Sequence, residues 1–286
     1  MLATGAERID IEAYKTYSLT NGSIDSRIAT IQSETGTYMN STNVANIKTT
    51  LGIGSDTRYH LLPGVEIQSS GSLSLNTDWD LFGSGWRYGG EAGVLTLRAA
   101  GNLTFNKTLS DGIKHESVSL DVYTFPERDV VKTGSSWSYR LAGGADRAAA
   151  DPLAVQTGVG DVTLGSGAKL RTGTGDIDIA AGKNLKLMDS SAAIYTAGVN
   201  RGAGGVPSSG SYTAAQVQEV LYSGDFLERG GDVRIVVGGD VKGANSHQLI
   251  NEWLPRAGGF IEVYPLDKAF GLPASWAVAV SNFRQN

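Results

Sequence analysis

Residues 160–187 read G-D-V-T-L-G-S-G-A-K-L-R-T-G-T-G-D-I-D-I-A-A-G-K-N-L-K-L. Within them Val162, Leu170, Ile177 and Leu185 each open a short alternating apolar run, at successive steps of 8, 7 and 8 residues. Alternation places apolar side chains on one face and polar ones on the other, the signature of half-buried strands. Such runs are preceded by Gly160-Asp161, Gly175-Asp176, Gly231-Asp232 and Gly239-Asp240, and Gly101-Asn102 plays the same part. Glycine, Asp and Asn tolerate the left-handed geometry of tight bends. A hairpin needs two matched strands joined by one tight turn, which evenly punctuated short strands do not supply. Three strands and their bends instead make one circuit of 23 residues, from Val162 to Leu185. That spacing predicts Val162 stacked beneath Leu185, with inward aliphatic side chains in columns, as in a parallel β-helix.

The same pattern extends outward. In V-L-T-L-R-A-A-G-N-L-T-F-N, Leu103 and Phe105 repeat Leu95 and Leu97 after 8 residues, and Thr96 and Thr104 face outward. Strands are expected to resume at Asp232. Three stretches read as loops leaving the coil: Thr77 to Gly90, Thr133 to Asp151 and Val199 to Tyr212. Tyr212 to Tyr222 has helical spacing and predicts a short helix. A single coil cannot bury its own apolar side, so the end coils need covers. Asn43 to Leu51 is expected to form a short helix closing one end. The expected division is an N-terminal segment and cap over 1–60, a β-helix with loop insertions over 61–256, and a tail over 257–286 without a clear period.

Composition agrees with an ordered, turn-rich chain. The 38 glycines among 286 residues are nearly twice the usual share of about 7%. With 41% hydrophobic and 19% charged residues, the chain is unlike the charge-rich composition of disorder. A net charge of -5 offers no basic stripe for phosphate contacts, so nucleic acid is not an expected partner. The absence of cysteine removes disulfides and thiolate metal sites. The amino terminus lacks a basic segment followed by an apolar run, so no signal peptide is read there. The apolar stretch Trp276 to Val280 is far short of the roughly 20 residues that a membrane-spanning helix needs.

Several strings resemble the filamentous haemagglutinin family of large bacterial exoproteins: L-T-L-R-A-A-G-N-L-T-F-N (95–106), S-W-S-Y-R-L-A-G-G-A-D (136–146), I-Y-T-A-G-V (194–199), F-L-E-R-G-G-D-V (226–233) and L-I-N-E-W-L-P-R (249–256). The resemblance covers most of residues 60–256. It implies a right-handed parallel β-helix, two-partner secretion through an outer-membrane β-barrel transporter, and a secreted or cell-surface location. It also implies roles in adhesion, biofilm or contact-dependent competition, with a surface glycan or protein receptor as partner. The family's secretion domain carries Asn-Pro-Asn motifs, and this chain has none, so it reads as an internal or C-terminal piece of such a protein, or as a truncated reading frame. The family has no catalytic motif on its repeats, and no residue role follows by position.

The expected function is therefore that of a non-enzymatic shaft segment of an adhesin. The alternatives are a carbohydrate-active β-helix enzyme, lyase or hydrolase, and the stalk of a toxin-delivery protein. For the enzyme the candidates are Asp78 and Asp80 in T-D-W-D and Asp176 and Asp178 in G-D-I-D-I. Spacing of i, i+2 puts both carboxylates of a pair on one side of a strand, where they could bind calcium or act as acid and base. Solvated outward positions explain both pairs more simply, because a turn aspartate recurs with the repeat. The string T-G-T-G-D-I-D-I is out of register with the calcium-binding nonapeptide, so no calcium roll is expected.

His60, His115 and His247 stand singly, without the partners of a metal set. No nucleophile elbow, Walker loop or dinucleotide motif occurs, so no cofactor is expected. Asn40, Asn102 and Asn106 match an N-glycosylation pattern that is common in Asn/Thr-rich turns. Trp79, Phe82, Trp86 and Tyr88 cluster with Arg87, and Trp137 and Tyr139 with Arg140. Such aromatic loops either pack onto the coil, the favoured reading, or offer a ligand platform.

Overall fold

The computed structural model describes residues 6–20, 22–54, 56–120, 123–199 and 229–244, with backbone alone for 84 and 115–130. Its strands lie in three parallel sheets and one antiparallel hairpin. The first sheet contains, in order, β1 (Ile9–Leu19), β3 (Tyr59–Ser69), β6 (Val94–Ala99), β11 (Ser138–Gly143), β14 (Ile177–Ala181) and β17 (Val233–Val237). The second runs β2 (Gly22–Ser23), β4 (Leu73–Leu75), β7 (Leu103–Phe105), β12 (Val162–Leu164), β15 (Leu185–Leu187) and β18 (Val241–Lys242). The third holds β5 (Trp79–Asp80), β8 (Leu109–Ser110), β13 (Lys169–Thr172) and β16 (Ala193–Thr196). From β3 onward the chain visits the three sheets in turn and returns to the first. Parallel neighbours require such crossovers, because a tight turn can join only antiparallel strands.

Apolar alternation becomes five registered columns. In the first sheet Val65, Leu95, Tyr139, Ile177 and Val233 are successive partners, and so are Ile67, Leu97, Leu141, Ile179 and Ile235. In the second, Leu73, Leu103, Val162, Leu185 and Val241 form one column and Leu75, Phe105, Leu164 and Leu187 another. Trp79, Leu109, Leu170 and Ile194 make the fifth. Val162 does pair with Leu185, as the 23-residue spacing requires. Each fully buried aliphatic or aromatic side chain contributes about 1.5–3 kcal/mol, so the columns are the main source of stability.

The Gly-Asp dipeptides mark corners that are tied from one circuit to the next. Asn102 Oδ1 accepts from the Asp161 N–H (2.9 Å), Asp161 Oδ1 from the Asn184 N–H (3.1 Å), and Asn184 Oδ1 from the Asp240 N–H (3.0 Å). At the start of the first-sheet strands, Ser138 Oγ accepts from the Asp176 N–H and Asp176 Oδ1 from the Asp232 N–H. Each bond satisfies a corner N–H that the sheets leave unpaired. Gly160, at φ 74°, lies so close to Gly144 that a Cβ would overlap its backbone nitrogen. The glycine before the aspartate is thus a packing requirement as well as a turn preference.

The longer excursions differ from the sequence expectation in instructive ways. The stretch 133–151 is not a single loop, because Ser138–Gly143 is a central strand of the first sheet. Trp137, Tyr139 and Leu141 alternate with Ser138 and Arg140, and the alternation outweighs the loop-like glycines on either side. Likewise 77–90 contains β5 and a 3-10 turn at Ser84–Trp86. Residues 9–19, in which no short punctuated run was read, pair along their whole length with β3. The segment before residue 60 therefore continues the first two sheets.

A hairpin, β9 (Ile113–Leu120) with β10 (Tyr123–Val131), is inserted after β8. Between β2 and β3 stand two helices, α1 (Ile28–Tyr38) and α2 (Ser41–Thr50). The second overlaps the helix expected over Asn43–Leu51 and is capped by Asn40, whose side chain accepts the Asn43 N–H. In α1, Ile31 packs into the main apolar core. The expected loop from Val199, the helix over Tyr212–Tyr222 and the tail over 257–286 lie outside the described residues, as do Trp253 and the string 249–256.

Candidate functional site: a polar cleft on the third sheet

Inward packing of Trp79, Leu109 and Leu170, all buried, fixes which neighbours face out, since successive strand residues point to opposite sides. Registered pairs carry Asp80 to Ser110, Ser110 to Arg171 and Arg171 to Tyr195 across four adjacent strands. A parallel row begins at Asp78, whose Oδ1 accepts the Thr108 N–H at 2.8 Å, and reaches Lys169 on β13. These rows line an open cleft of about 320 Å³, walled on one side by Ile113 and Lys114 at the base of the hairpin.

Its electrostatics are mixed. Asp80 Oδ1 accepts the Phe82 N–H at 2.8 Å. Although its side chain reaches water, desolvation raises its carboxyl to about 6; nearby Asp111 adds to the rise, while the Phe82 N–H, Arg171 and Lys114 oppose it. Arg171 is buried, donating from Nε to Ser110 Oγ (2.9 Å) and from Nη1 to the Tyr195 hydroxyl (3.2 Å). Lys114 and Lys169 are also engaged within the fold. A carboxyl with a raised pKa facing cations in a cleft is the usual physical mark of a site that handles ligands or protons.

Next to Ser110 in the chain stands buried Asp111. Its carboxylate takes two bonds from Arg87 Nη2 (2.7 and 2.9 Å), one from the Trp137 N–H (2.6 Å) and one from the Gly112 N–H (2.7 Å). Burial pushes its pKa up, while Arg87 and the two backbone donors hold it down. The pair fastens the 81–93 excursion to β8 and to the start of β11.

Of the aromatic residues considered as a platform, Trp79, Trp86, Trp137 and Tyr139 are core residues. Trp79 and Trp86 are 2% and 5% exposed, and Trp137 and Tyr139 are fully buried. Trp86 packs tilted on Trp79 (centroids 5.6 Å apart) and edge-on to Trp137 (6.0 Å), whose Nε1 donates to the Trp86 carbonyl (2.9 Å). Tyr139 stacks in register between Leu95 and Ile177. Their faces are covered by protein and are not offered to a ligand. Arg87 is held by Asp111 and lies over the Phe82 ring, and half-buried Tyr88 donates to the Gly85 carbonyl. Arg140 pairs with Glu12 at 2.9 Å.

The two aspartate pairs are not brought together, since Asp78 and Asp80 stand on the third sheet and Asp176 and Asp178 on the first. Asp176 serves its corner, as the Gly-Asp recurrence suggests. Asp178 lies in register between Arg140 and Arg234, with its carboxyl raised by burial and by Asp176. His60 bonds Glu91 at 2.6 Å; the His115 side chain and His247 lie outside the described residues. Among the described residues no group of three or more His, Cys, Asp or Glu is placed to hold a metal ion. No helix among them is long and apolar enough to cross a membrane.

Sequence reasoning found Asp78 and Asp80 but not Ser110, Lys114, Lys169 or Arg171. The missing signal was register, because the hairpin and a later excursion separate Ser110 from its partner Arg171 by 61 residues. Compared with known protein families, curated proteins and solved structures, the chain matches none.

Proposed function

We propose that this chain is a segment of right-handed parallel β-helix that serves as the shaft of a filamentous haemagglutinin-like bacterial exoprotein. In this reading it is a non-enzymatic scaffold that carries surface loops toward a glycan or protein receptor. The observation that carries the reading is the set of apolar columns, in which each strand stacks on the strand one circuit earlier. Such stacking builds a rod whose cross-section stays constant while its length grows with the number of circuits. The excursions after β5, β8 and β11 then act as lateral decorations of that rod. The five strings that resemble the exoprotein family add the surface location, export through an outer-membrane β-barrel transporter, and adhesion.

Purified full-length chain tests the scaffold part. A circular dichroism spectrum dominated by β signal, and a sedimentation velocity profile of an elongated monomer, are the expected results; a mostly helical spectrum would remove the reading. Chain-coated beads should adhere to a cell surface in a saturable manner. An upstream reading frame encoding a secretion domain beside a transporter gene would support export. Depolymerisation of a polysaccharide that is lost on Asp78→Ala would replace the scaffold by the enzyme alternative.

A further inference from the structure

We propose that the coil is closed at its β1 end, where Lys15 acts as a gatekeeper that keeps a further strand, and so a second copy of this chain, from stacking on β1. This goes beyond the scaffold reading and depends neither on the handedness of the coil nor on export. It concerns the sheets, irrespective of what precedes β1 in the chain. Three observations carry it, one on each sheet.

β1 is the edge strand of the first sheet and pairs with β3 over 11 residues, where strands usually run to about 5–6. A long edge offers a row of backbone donors and acceptors to any further strand. In register, Lys15 precedes Val65, Leu95, Tyr139, Ile177 and Val233, so that apolar column ends in an ammonium group. The lysine side chain stays 49% exposed and that of its partner Glu34, on α1, 44% exposed, with Nζ 2.6 Å from Glu34 Oε2 and 5.0 Å from the centre of the Tyr17 ring. Tyr17, the register partner of Ile67, continues the neighbouring column and is buried. A strand added to β1 would strip water from the Lys15–Glu34 pair, and charges taken out of water are costly even when paired. With an aliphatic residue at position 15, the same strand would instead extend an apolar column.

The other two sheets end in ways that agree. On the second, β2 is only 2 residues long, and Gly22 takes the place that Leu73 and Leu103 hold in their column, which therefore ends without a side chain. On the third, no strand among the described residues lies on the far side of β5. Between β2 and β3 the chain forms α1 and α2 instead. Ile31 of α1 is buried in the main core, and Met39, which ends α1, is buried with Val44 and Ile47 of α2 packed against its cluster. A very short strand, a lysine in a column position and a covering helix are separate ways of blunting a sheet edge. At the opposite end of the described coil the column positions keep apolar side chains, Val233 and Ile235 on β17 and Val241 on β18. The charge thus marks one end of the stack.

The experiment is sedimentation velocity of the full-length chain over a range of concentrations, with the wild type as reference and circular dichroism and melting temperature as folding controls. Lys15→Ile should keep the wild-type spectrum and melting temperature, because the side chain is half in water, but raise the weight-average mass at the highest concentration to at least one and a half times the wild-type value. Lys15→Glu loses the bond to Glu34 but keeps a charge, and should stay at the wild-type mass. Lys107→Ile adds the same apolar group at the exposed bend after β7, and should stay there too. Wild-type mass for a folded Lys15→Ile would overturn the proposal. So would association of Lys15→Glu or Lys107→Ile equal to that of Lys15→Ile, since either would take the effect away from a charge at this edge. Lys15→Val repeats the test if Lys15→Ile misfolds. None of these outcomes bears on the apolar columns of the wild type, so the shaft reading and the closed end fail separately.

Discussion

The outer faces of the first and third sheets are built by the same alternation, yet they treat their carboxylates differently. On the first sheet Glu66 and Arg98 are 2% and 6% exposed, and Thr96 between them is also buried. Arg98 pairs with Glu66 at 3.4 Å and donates to the carbonyls of Asp146 and Ala149, which belong to the excursion that follows β11. Arg147 of that excursion donates to Gln68, adding a second tie. On the third sheet Asp78 and Asp80 reach solvent in an open cleft, while Ser110 and Arg171 farther along the row are buried and bonded to each other. What lies above a strand, and not what the strand contains, decides whether an outward charge becomes a structural tie or an accessible group. A buried charge is costly unless paired, so Glu66 needs its ion pair while Asp78 and Asp80, which reach water, do not.

The largest effect should come from breaking the covered face. Arg98→Ala leaves Glu66 buried without its partner and frees two carbonyls of the excursion, a loss of about 3–5 kcal/mol in chemical denaturation. Replacing both partners by apolar residues of similar volume, Glu66→Leu with Arg98→Met, should cost far less, within about 1.5 kcal/mol. An equal loss in the single and double variants would show that the pair does not explain the burial.

Next in size is a corner. Asp161→Ala removes an acceptor for the Asn184 backbone and side-chain N–H groups and for Lys186, and should cost about 1–3 kcal/mol. Burial works against ionisation of Asp161, but Lys186 and Asn184 hold its pKa below the usual carboxylate range. Its contribution is therefore present at neutral pH and lost as pH falls through that lowered pKa.

Asp80 has the opposite sign. Between its ordinary value of 3.8 and its folded value of about 6, the native chain holds a proton that the unfolded chain has released. Stability should thus rise as pH falls from 6 toward 4, and Asp80→Asn should flatten that segment of the profile. Carboxyl NMR of Asp80 with an inflection near 4 would contradict this account. The smallest effect belongs to the open face itself: Lys169→Gln should change stability by no more than about 0.5 kcal/mol. A much larger loss would mean that the third-sheet face is structural as well.

The same contrast separates what was legible in the sequence from what was not. The steps between Val162, Leu170, Ile177 and Leu185 depend only on local alternation and glycine corners, and they predicted the Val162–Leu185 pairing. Where excursions intervene, the local signal weakens. Tyr139 lies in a stretch that reads as a loop, flanked by Gly134 and the glycines from Gly143 onward, although it alternates with Trp137 and Leu141 as a strand residue does. The cleft was half visible: Asp78 and Asp80 are neighbours in sequence, but Arg171 lies 61 residues after its register partner Ser110 and joins them only through the sheet.

By itself, then, the sequence determined the strand faces, the corner residues and the length of an uninterrupted circuit, since each follows from side-chain direction and backbone sterics within a few residues. Only the tertiary structure decided which distant strands share a register, which aromatic rings become core, and which outward charges are covered. Those outcomes depend on where the excursions fold back, and hence on contacts between residues far apart in the chain. The parallel sheets were written locally; the cleft and the covered ion pair were made by what the insertions leave open or close.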